Sequence, residues 1–242
     1  MRDTATMHLD RFLCKQADYS RKTVLQLLSQ KQVKVDGNVI QHRNHPVTPF
    51  SHIEVQGKQL QNATARYYML NKPAGILSAT TDPIHCTALA LLTGINTTDL
   101  HIAGRLDRAT TGLLILTNDG KWSRQLTELK PIGANQIPKV YLVETAYAIS
   151  PTTAQRFKEG IYFKTENTTT SPAQLEIIHE TLARLTIYEG RYHQVKRMFS
   201  AVGNRITQLH REQVGPIILE PALTTGLFRA LTPQEVNWVW QR

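Results

Sequence analysis

Residues 104–120 of the chain read GRLDRATTGLLILTNDG and join a polar turn to a strongly apolar run. The run Leu113–Thr117 predicts a strand, because it is short, almost wholly apolar and bounded by turn residues. Asp119 lies in the Asn-Asp-Gly sequence that follows, which suits a turn leading into a helix at Lys121. The stretch therefore predicts a loop, an apolar strand and a helix in succession.

Asp107 lies in this loop between Arg105 and Arg108, and adjacent positive charges favour the ionised form of a carboxyl group. A charged carboxylate on a rigid element can act as a nucleophile or as a general base. A structural ion pair between an arginine and the aspartate explains the same residues and is the commoner reason for such a pattern. The segment alone leaves both interpretations open.

Other segments of the chain predict several strands with helices between them. Strands are predicted at Tyr67–Asn71, Val140–Ala146, Gln174–Ile178 and Arg184–Tyr188, and helices at Lys121–Leu129, Pro151–Glu159, Gln194–Val202 and Pro233–Val239. Strands and helices do not alternate strictly, so the pattern favours an α+β fold with a mainly antiparallel sheet.

The N-terminal part is the most basic part of the chain. Up to residue 65 it carries nine basic and five acidic residues, within a total of 28 basic and 19 acidic residues and a pI near 9.7. Such an excess of positive charge attracts polyanions. A partner rich in phosphate is therefore expected, although a basic surface can also serve solubility.

The same part predicts a small α/β domain. Residues 9–17 have the apolar spacing of a helix, and Ser20 suits the N-cap of a second helix whose apolar face holds Val24, Leu25 and Leu28. Asp36-Gly37 predicts a hairpin turn, and a further strand pair is predicted to turn at Gln56-Gly57. The polar residues 61–65 suit a linker, so we expect domains at 1–60 and 66–242.

Several common kinds of site are absent from the sequence. It has no glycine-rich phosphate loop, no GxGxxG, no GxSxG and no HExxH motif. Cys14 and Cys86 are far apart and the nine histidines are scattered, so neither a disulfide framework nor a metal site is predicted. No run of apolar residues is long enough to cross a membrane. We expect a soluble cytoplasmic protein that needs no cofactor and no metal.

Four motifs, in order along the chain, resemble those of one large family of pseudouridine synthases. The signature Gly-Arg-Leu-Asp-x-x-Thr-x-Gly-Leu-Leu begins at Gly104, and a Lys-Pro turn begins at Lys72. Lys139-Val140-Tyr141 resembles the Lys-x-Tyr strand of the family, and residues 189–199, EGRYHQVKRMF, resemble its third motif. Each motif alone is moderately specific, but the four together indicate this family strongly.

The resemblance implies roles for particular residues. Asp107 is then the catalytic residue, which either attacks the ribose at C1′ or removes a proton at C2′. Tyr141 would stack on the extruded uracil, and Lys196 would pair with Asp107. Arginine is frequent at that basic position, so Arg197 stays an alternative partner. Arg105 would assist base extrusion or contact phosphate.

The N-terminal part resembles the small RNA-binding domain named after small-subunit ribosomal protein four. His8-Leu9-Asp10-Arg11-Phe12, Ser20-Arg21 and Val33–Gly37 carry this resemblance, with His8 where an arginine is usual. It implies RNA contacts by basic side chains of this part. The candidates for RNA binding in the whole chain are Arg11, Lys15, Arg21, Lys22, Lys34, Arg105 and Arg197.

The third motif, together with residues 110–112, 202–204 and 209–212, is most similar to the branch of the family called ribosomal small subunit pseudouridine synthase A. That branch modifies one uridine of 16S rRNA, conventionally numbered 516, so we expect a monomeric enzyme acting on small-subunit ribosomal RNA or on an assembly intermediate. An enzyme of the same branch that modifies 23S rRNA shares every catalytic motif and stays an alternative. A ribosome-assembly factor without catalysis would need the basic first domain but not Asp107, Tyr141 or Lys196.

Overall fold

The computed structural model describes residues 7–128 and 136–241. The chain divides into two compact units. The first runs to Arg66 and also takes in residues 119–121, and the second comprises the remaining residues from Tyr67 onward.

The first unit pairs two helices with small antiparallel sheets. Its elements are β1 (Met7–His8), α1 (Leu9–Gln16), α2 (Arg21–Ser29), β2 (Val33–Val35), β3 (Asn38–Val39), β4 (Pro46–Val47), β5 (Ile53–Val55) and β6 (Lys58–Gln61). Four strands form a sheet in the order β3-β2-β5-β6, and β1 pairs with β4. Gln61, which the sequence assigned to a linker, still pairs with Ile53 at the end of β6.

Local sequence explains most of this unit. Ser20 caps α2, where its hydroxyl accepts a hydrogen bond of 3.1 Å from the Thr23 amide. Asp36 and Gly37 turn the chain with positive φ values of 51° and 81°, as an Asp-Gly hairpin requires. The buried face of α2 holds Val24, Leu27 and Leu28. The prediction for Leu25 was wrong: its side chain is 53% exposed, because Leu27, not Leu25, lies on the face of Val24.

The second unit is built on one large sheet. Its strands are β7 (Tyr67–Lys72), β8 (His101–Ala103), β9 (Thr111–Thr117), β10 (Lys139–Thr145), β11 (Tyr162–Phe163), β12 (Thr168–Thr169), β13 (Gln174–His179), β14 (Leu182–Ile187), β15 (Ile206–Val214), β16 (Ile217–Ile218) and β17 (Phe228–Ala230). Its helices are α3 (Gly120–Thr127), α4 (Thr153–Glu159), α5 (Gln194–Ala201) and α6 (Pro233–Trp240), with a 3-10 turn at Ala88–Leu91.

The strands of the large sheet follow the order β13-β14-β10-β15-β9-β7-β17, with β8 added to β9 and β16 to β15. Among the described strands, β9 and β15 form the one parallel pair, through His210 with Thr111 and Arg211 with Gly112. The other pairs are antiparallel, which confirms the predicted α+β fold with a mainly antiparallel sheet. The signature motif leads into β9, the Lys-Pro turn follows the neighbouring β7, and only β15 separates β9 from β10, which carries the Lys-x-Tyr motif.

The predicted strands and helices of this unit agree with the structure, apart from their ends. The helix predicted at 121–129 ends at Thr127, and Leu129 lies outside the described residues. Asp119 accepts a hydrogen bond of 3.0 Å from the Lys121 amide, as expected for a residue that begins a helix. The nine-residue strand β15 was not predicted, because its Thr, Gln, His, Arg and Glu side chains hide the alternation of a buried strand.

Candidate active site

Two buried side chains hold the loop before β9 in place. Lys72 is completely buried, and its ammonium group donates to the carbonyl oxygens of Pro73, Arg108 and Thr110, at 3.0, 3.2 and 2.8 Å. The Ser78 hydroxyl donates to the Leu106 carbonyl and accepts from the Leu106 amide, at 2.7 and 3.1 Å. These bonds flank Asp107 on both sides, so its backbone position is fixed.

Strand β15 ties the same loop to the sheet. Arg211 is 2% exposed, and its guanidinium donates to the carbonyl oxygens of Leu113 and Gly104, at 2.8 and 3.0 Å. Gly112 makes this close approach possible. A Cβ atom at that position would lie 2.4 Å from the Arg211 carbonyl oxygen, and the φ of +98° is unfavourable for other residues. The glycine of the signature motif is therefore required by the parallel pairing of β9 with β15.

Asp107 is presented to solvent with two basic partners. Its Oδ2 lies 3.1 Å from the Lys196 Nζ, and its Oδ1 lies 3.3 Å from the His193 Nε2. The Asp107 side chain is 28% exposed, so it is reachable from outside. A basic side chain within hydrogen-bond distance orients the carboxylate, which suits nucleophilic or general-base chemistry. Of the two basic residues that the sequence offered as partners, it is Lys196 that contacts Asp107.

The turn that leads into α5 is fixed by a buried carboxylate. Glu189 is 4% exposed and accepts hydrogen bonds from the Ser171 amide, the Gln194 side chain and the Arg191 guanidinium. The Gln194 side chain in turn accepts from the Arg191 amide at 3.0 Å. His193 precedes the helix in a left-handed conformation, with φ of 48°. Such strain persists where surrounding contacts impose it, and it is frequent at functional sites.

Asp107 opens onto a cleft of about 200 Å³ within the second unit. Tyr141, on β10, lines this cleft with its side chain 7% exposed. Arg105 also lines it and is exposed, whereas Lys139 and Arg211 lie deeper in the wall. The cleft thus combines a carboxylate, a phenol ring and several cations, a set suited to a planar base attached to a phosphate backbone.

Two lysines of this region have a lowered pKa. The pKa of Lys72 is lowered to about 8, mainly by burial; the negative charge of Asp107 opposes this shift, and the positive charge of Arg211 adds to it. Burial and Arg211 also lower the pKa of Lys139 to about 8, against the attraction of Glu189. Both groups remain largely protonated at neutral pH, and Lys139, which lines the cleft, adds positive charge to it.

The other candidates for RNA binding lie in different places. Arg197 does not line the cleft; its guanidinium pairs with Glu166 at 2.5 Å and lies 3.7 Å above the ring centre of Phe163. In the first unit, Lys34 forms a distant ion pair of 3.5 Å with Glu54. The remaining candidates of the first unit, Arg11, Lys15, Arg21 and Lys22, are exposed.

Three residues of the site were missed in the sequence. Lys72 was matched only as part of a turn, and neither His193 nor Arg211 was given a role. The signal for His193 was its place two residues after Arg191 and three before Lys196 in the third motif. Arg211 leaves no comparable signal, because a buried arginine that donates to backbone carbonyl oxygens has partners that any residue type can supply.

Two kinds of feature are not found among the described residues: a side-chain cluster that could hold a metal ion, and a helix that could span a membrane. Within residues 7–128 and 136–241, no group of three or more His, Cys, Asp or Glu side chains could hold a metal ion. In the same part of the chain, no helix has the length and apolar character needed to cross a bilayer.

Comparison with known proteins gives one consistent answer. Residues 66–201 match the family described as RNA pseudouridylate synthase. The chain is 46% identical to the ribosomal small subunit pseudouridine synthase A of Pseudomonas aeruginosa, over 95% of this chain and 99% of that protein. It is 41% identical to the protein of the same name from Escherichia coli K12, over 95% and 98%.

A solved structure agrees with these relatives. The chain resembles a crystal structure of a pseudouridylate synthase with a TM-score of 0.68 and 34% identity, over 96% of this chain and 99% of that one. The family resemblance inferred from the four motifs is thereby confirmed. The chain belongs to the RNA pseudouridylate synthase family.

Proposed function

We propose that this chain converts one uridine of small-subunit ribosomal RNA into pseudouridine, with Asp107 as the catalytic residue. The observation that carries the proposal is the contact of the Asp107 carboxylate with Lys196 at the mouth of a cleft that contains Tyr141. The choice of RNA rests on the relatives, whose names specify the ribosomal small subunit. The uridine numbered 516 in 16S rRNA is the proposed target.

Asp107 acts on the ribose of the target uridine. It either bonds to C1′ or takes the proton from C2′, and in both cases the N-glycosidic bond breaks. The freed uracil turns and bonds to C1′ through C5. In the first route the bond between Asp107 and C1′ breaks as this bond forms, and in the second route Asp107 returns the proton to C2′. The C5 proton is then removed, and the ring nitrogen released from C1′ takes up a proton. Atoms and charges balance without an added reactant, so the residues of the chain suffice for the reaction.

The remaining residues of the cleft prepare this step. Tyr141 stacks on the extruded uracil and takes part in removing the C5 proton. Arg105, exposed at the cleft, assists extrusion or holds a phosphate. Unstacking a base costs a few kcal/mol, which the aromatic contact and the basic side chains offset. Lys196 keeps the carboxylate oriented throughout.

We assign the N-terminal residues through Gln61, the end of β6, to RNA binding, residues 62–65 to a linker and residues 66–242 to catalysis. Exposed basic side chains of the first part contact phosphates, and Lys34 and Arg197 contribute once RNA competes for their acidic partners. The protein acts as a monomer in the cytoplasm, on small-subunit RNA or on an assembly intermediate.

The test is direct. Purified protein is incubated with unmodified small-subunit and large-subunit ribosomal RNA, each naked and partly assembled, and pseudouridines are mapped at nucleotide resolution. We expect a single new pseudouridine in the small-subunit RNA. Product in the large-subunit RNA alone would overturn the substrate assignment, and absence of product in every substrate would overturn the proposed activity.

A further inference from the structure

An exposed ring stack begins at the catalytic carboxylate and ends in solvent. The rings of Tyr192 and His193 are nearly parallel, with an interplanar angle of 18° and 3.9 Å between their centres. His193 also reaches Asp107, with 3.3 Å between Nε2 and Oδ1. The Tyr192 residue is 76% exposed to solvent. The two stacked rings therefore form a step at the rim of the cleft. The Tyr192 ring is the surface of this step that faces solvent.

The step is held in place by its backbone. Arg197 donates to the Tyr192 carbonyl oxygen at 3.2 Å, and its guanidinium packs over the ring of Phe163 at 3.7 Å. On the other side, the Arg191 amide donates to the Gln194 side chain at 3.0 Å. An aromatic side chain has only two rotatable torsions, so a ring on such a fixed backbone loses little entropy when a ligand stacks on it.

The chemical character of the exposed Tyr192 ring favours a nucleobase as its ligand. One face of the Tyr192 ring is covered by His193, which leaves the opposite face open to a planar group. Every base presents a π face, and stacking on an aromatic side chain contributes to binding without depending on base identity. Because the step begins at Asp107, any base on it belongs to a nucleotide close to the one whose ribose meets the carboxylate.

We propose that Tyr192, supported by His193, is a stacking site for a base that neighbours the target uridine. This inference rests on the proposed function, because it takes the nucleotide at Asp107 to be the target. Tyr192 thus helps to position the RNA strand, and it is not part of the reacting group. The strained backbone of His193 is explained, since one ring then both contacts Asp107 and supports Tyr192.

The kinetic test uses the full chain and an RNA fragment that contains the target uridine. We expect Tyr192→Leu to raise KM by about 10-fold with little change in kcat, and Tyr192→Phe to remain near wild type. Tyr147→Leu is the matched control, since Tyr147 is 63% exposed in the same unit. Equal KM values for Tyr192→Leu and wild type would overturn the proposal, and thermal unfolding checks that the variants are folded.

A binding test separates this inference from the proposed activity. Each nucleotide beside the target is replaced in turn by 2-aminopurine, whose fluorescence is quenched by stacking. At one position we expect quenching by wild type and by Tyr192→Phe that Tyr192→Leu does not produce. An identical signal with wild type and Tyr192→Leu at every position would refute the stacking site, even if wild type forms pseudouridine. Conversely, quenching that depends on Tyr192 without pseudouridine formation would refute the activity and would show only that Tyr192 stacks on a base of the RNA.

Discussion

The Nζ atom of Lys196 lies 3.1 Å from the Oδ2 atom of Asp107, although the two residues belong to distant segments of the chain. Each partner is held by buried polar contacts of its own. Lys72 and Ser78 fix the loop that carries Asp107, and Glu189 fixes the turn before the helix that carries Lys196. The pair is thus positioned before any substrate arrives, which is the arrangement that favours catalysis.

Asp107→Asn should abolish isomerisation while leaving RNA binding nearly intact. The amide keeps the shape of the side chain but is neither a nucleophile nor a base, so we expect a loss of at least about 1000-fold in kcat. Single-turnover pseudouridine formation and a separate RNA-binding titration measure the two effects. A variant with near wild-type turnover would show that the chemistry lies elsewhere.

Lys196→Met and Arg197→Met should have different consequences, although the residues are adjacent. Loss of Lys196 leaves Asp107 without its ammonium partner, and we expect kcat to fall by about 10- to 100-fold. Loss of Arg197 removes the interactions with Glu166 and Phe163, so the melting temperature should fall while kcat at saturating RNA stays within about threefold. A large loss of kcat in Arg197→Met but not in Lys196→Met would mean that Arg197 is the cation that supports Asp107.

Gly112→Ala should strongly destabilise the second unit. The new Cβ would meet the Arg211 backbone at 2.4 Å, and the positive φ adds strain, so we expect a loss of more than about 2 kcal/mol in unfolding free energy. Gly190→Ala is the matched control, because no atom lies within 4 Å of its added Cβ. Chemical denaturation of both variants gives the comparison; similar losses would exclude the close approach as the cause.

The sequence predicts the elements of this fold better than their arrangement. Apolar runs and turn residues locate most strands, and the Asp-Gly turn and the Ser20 cap act through local physics alone. The position of β15 between β9 and β10 depends on non-local pairing, which leaves no pattern in a strand rich in polar residues. Likewise, the motifs identify Asp107 and Tyr141, but the contact with His193 arises only from the turn before α5.

The stability of the protein should depend on pH through Lys72. Its pKa is about 8 when folded, against about 10.4 in an unfolded chain. Between these values the unfolded chain binds more protons, so this group makes the unfolding free energy rise with pH from about 8 to 10. The stability of wild type relative to Lys72→Met should therefore increase over this window, by about 1 to 3 kcal/mol.

Denaturant unfolding at several pH values measures this difference. The exposed Lys158 offers a control, because Lys158→Met should follow the wild-type profile. A free energy of unfolding of wild type, taken relative to that of Lys72→Met, that falls or stays constant from about pH 8 to 10 would contradict the assignment of burial as the cause.

The exposed basic side chains of the first unit should contribute mainly to the salt-dependent part of the affinity for RNA. Arg21→Gln combined with Lys22→Gln should weaken RNA binding and lower the slope of log K against log salt, by about 0.7 to 0.9 for each phosphate that the protein no longer neutralises. Binding titrations at several salt concentrations test this, with Lys158→Gln as the comparison. An unchanged slope would place the phosphate-binding cations elsewhere in the chain.

The parallel pairing of β9 with β15 has a consequence for biosynthesis. The guanidinium of Arg211 closes the loop of Asp107 from a strand that ends only at Val214, late in the chain. A nascent chain emerging from its ribosome therefore carries the signature motif long before the wall of the cleft exists. A partly translated copy that lacks β15 also lacks Arg211, which closes the loop of Asp107, so we expect such a copy not to modify RNA.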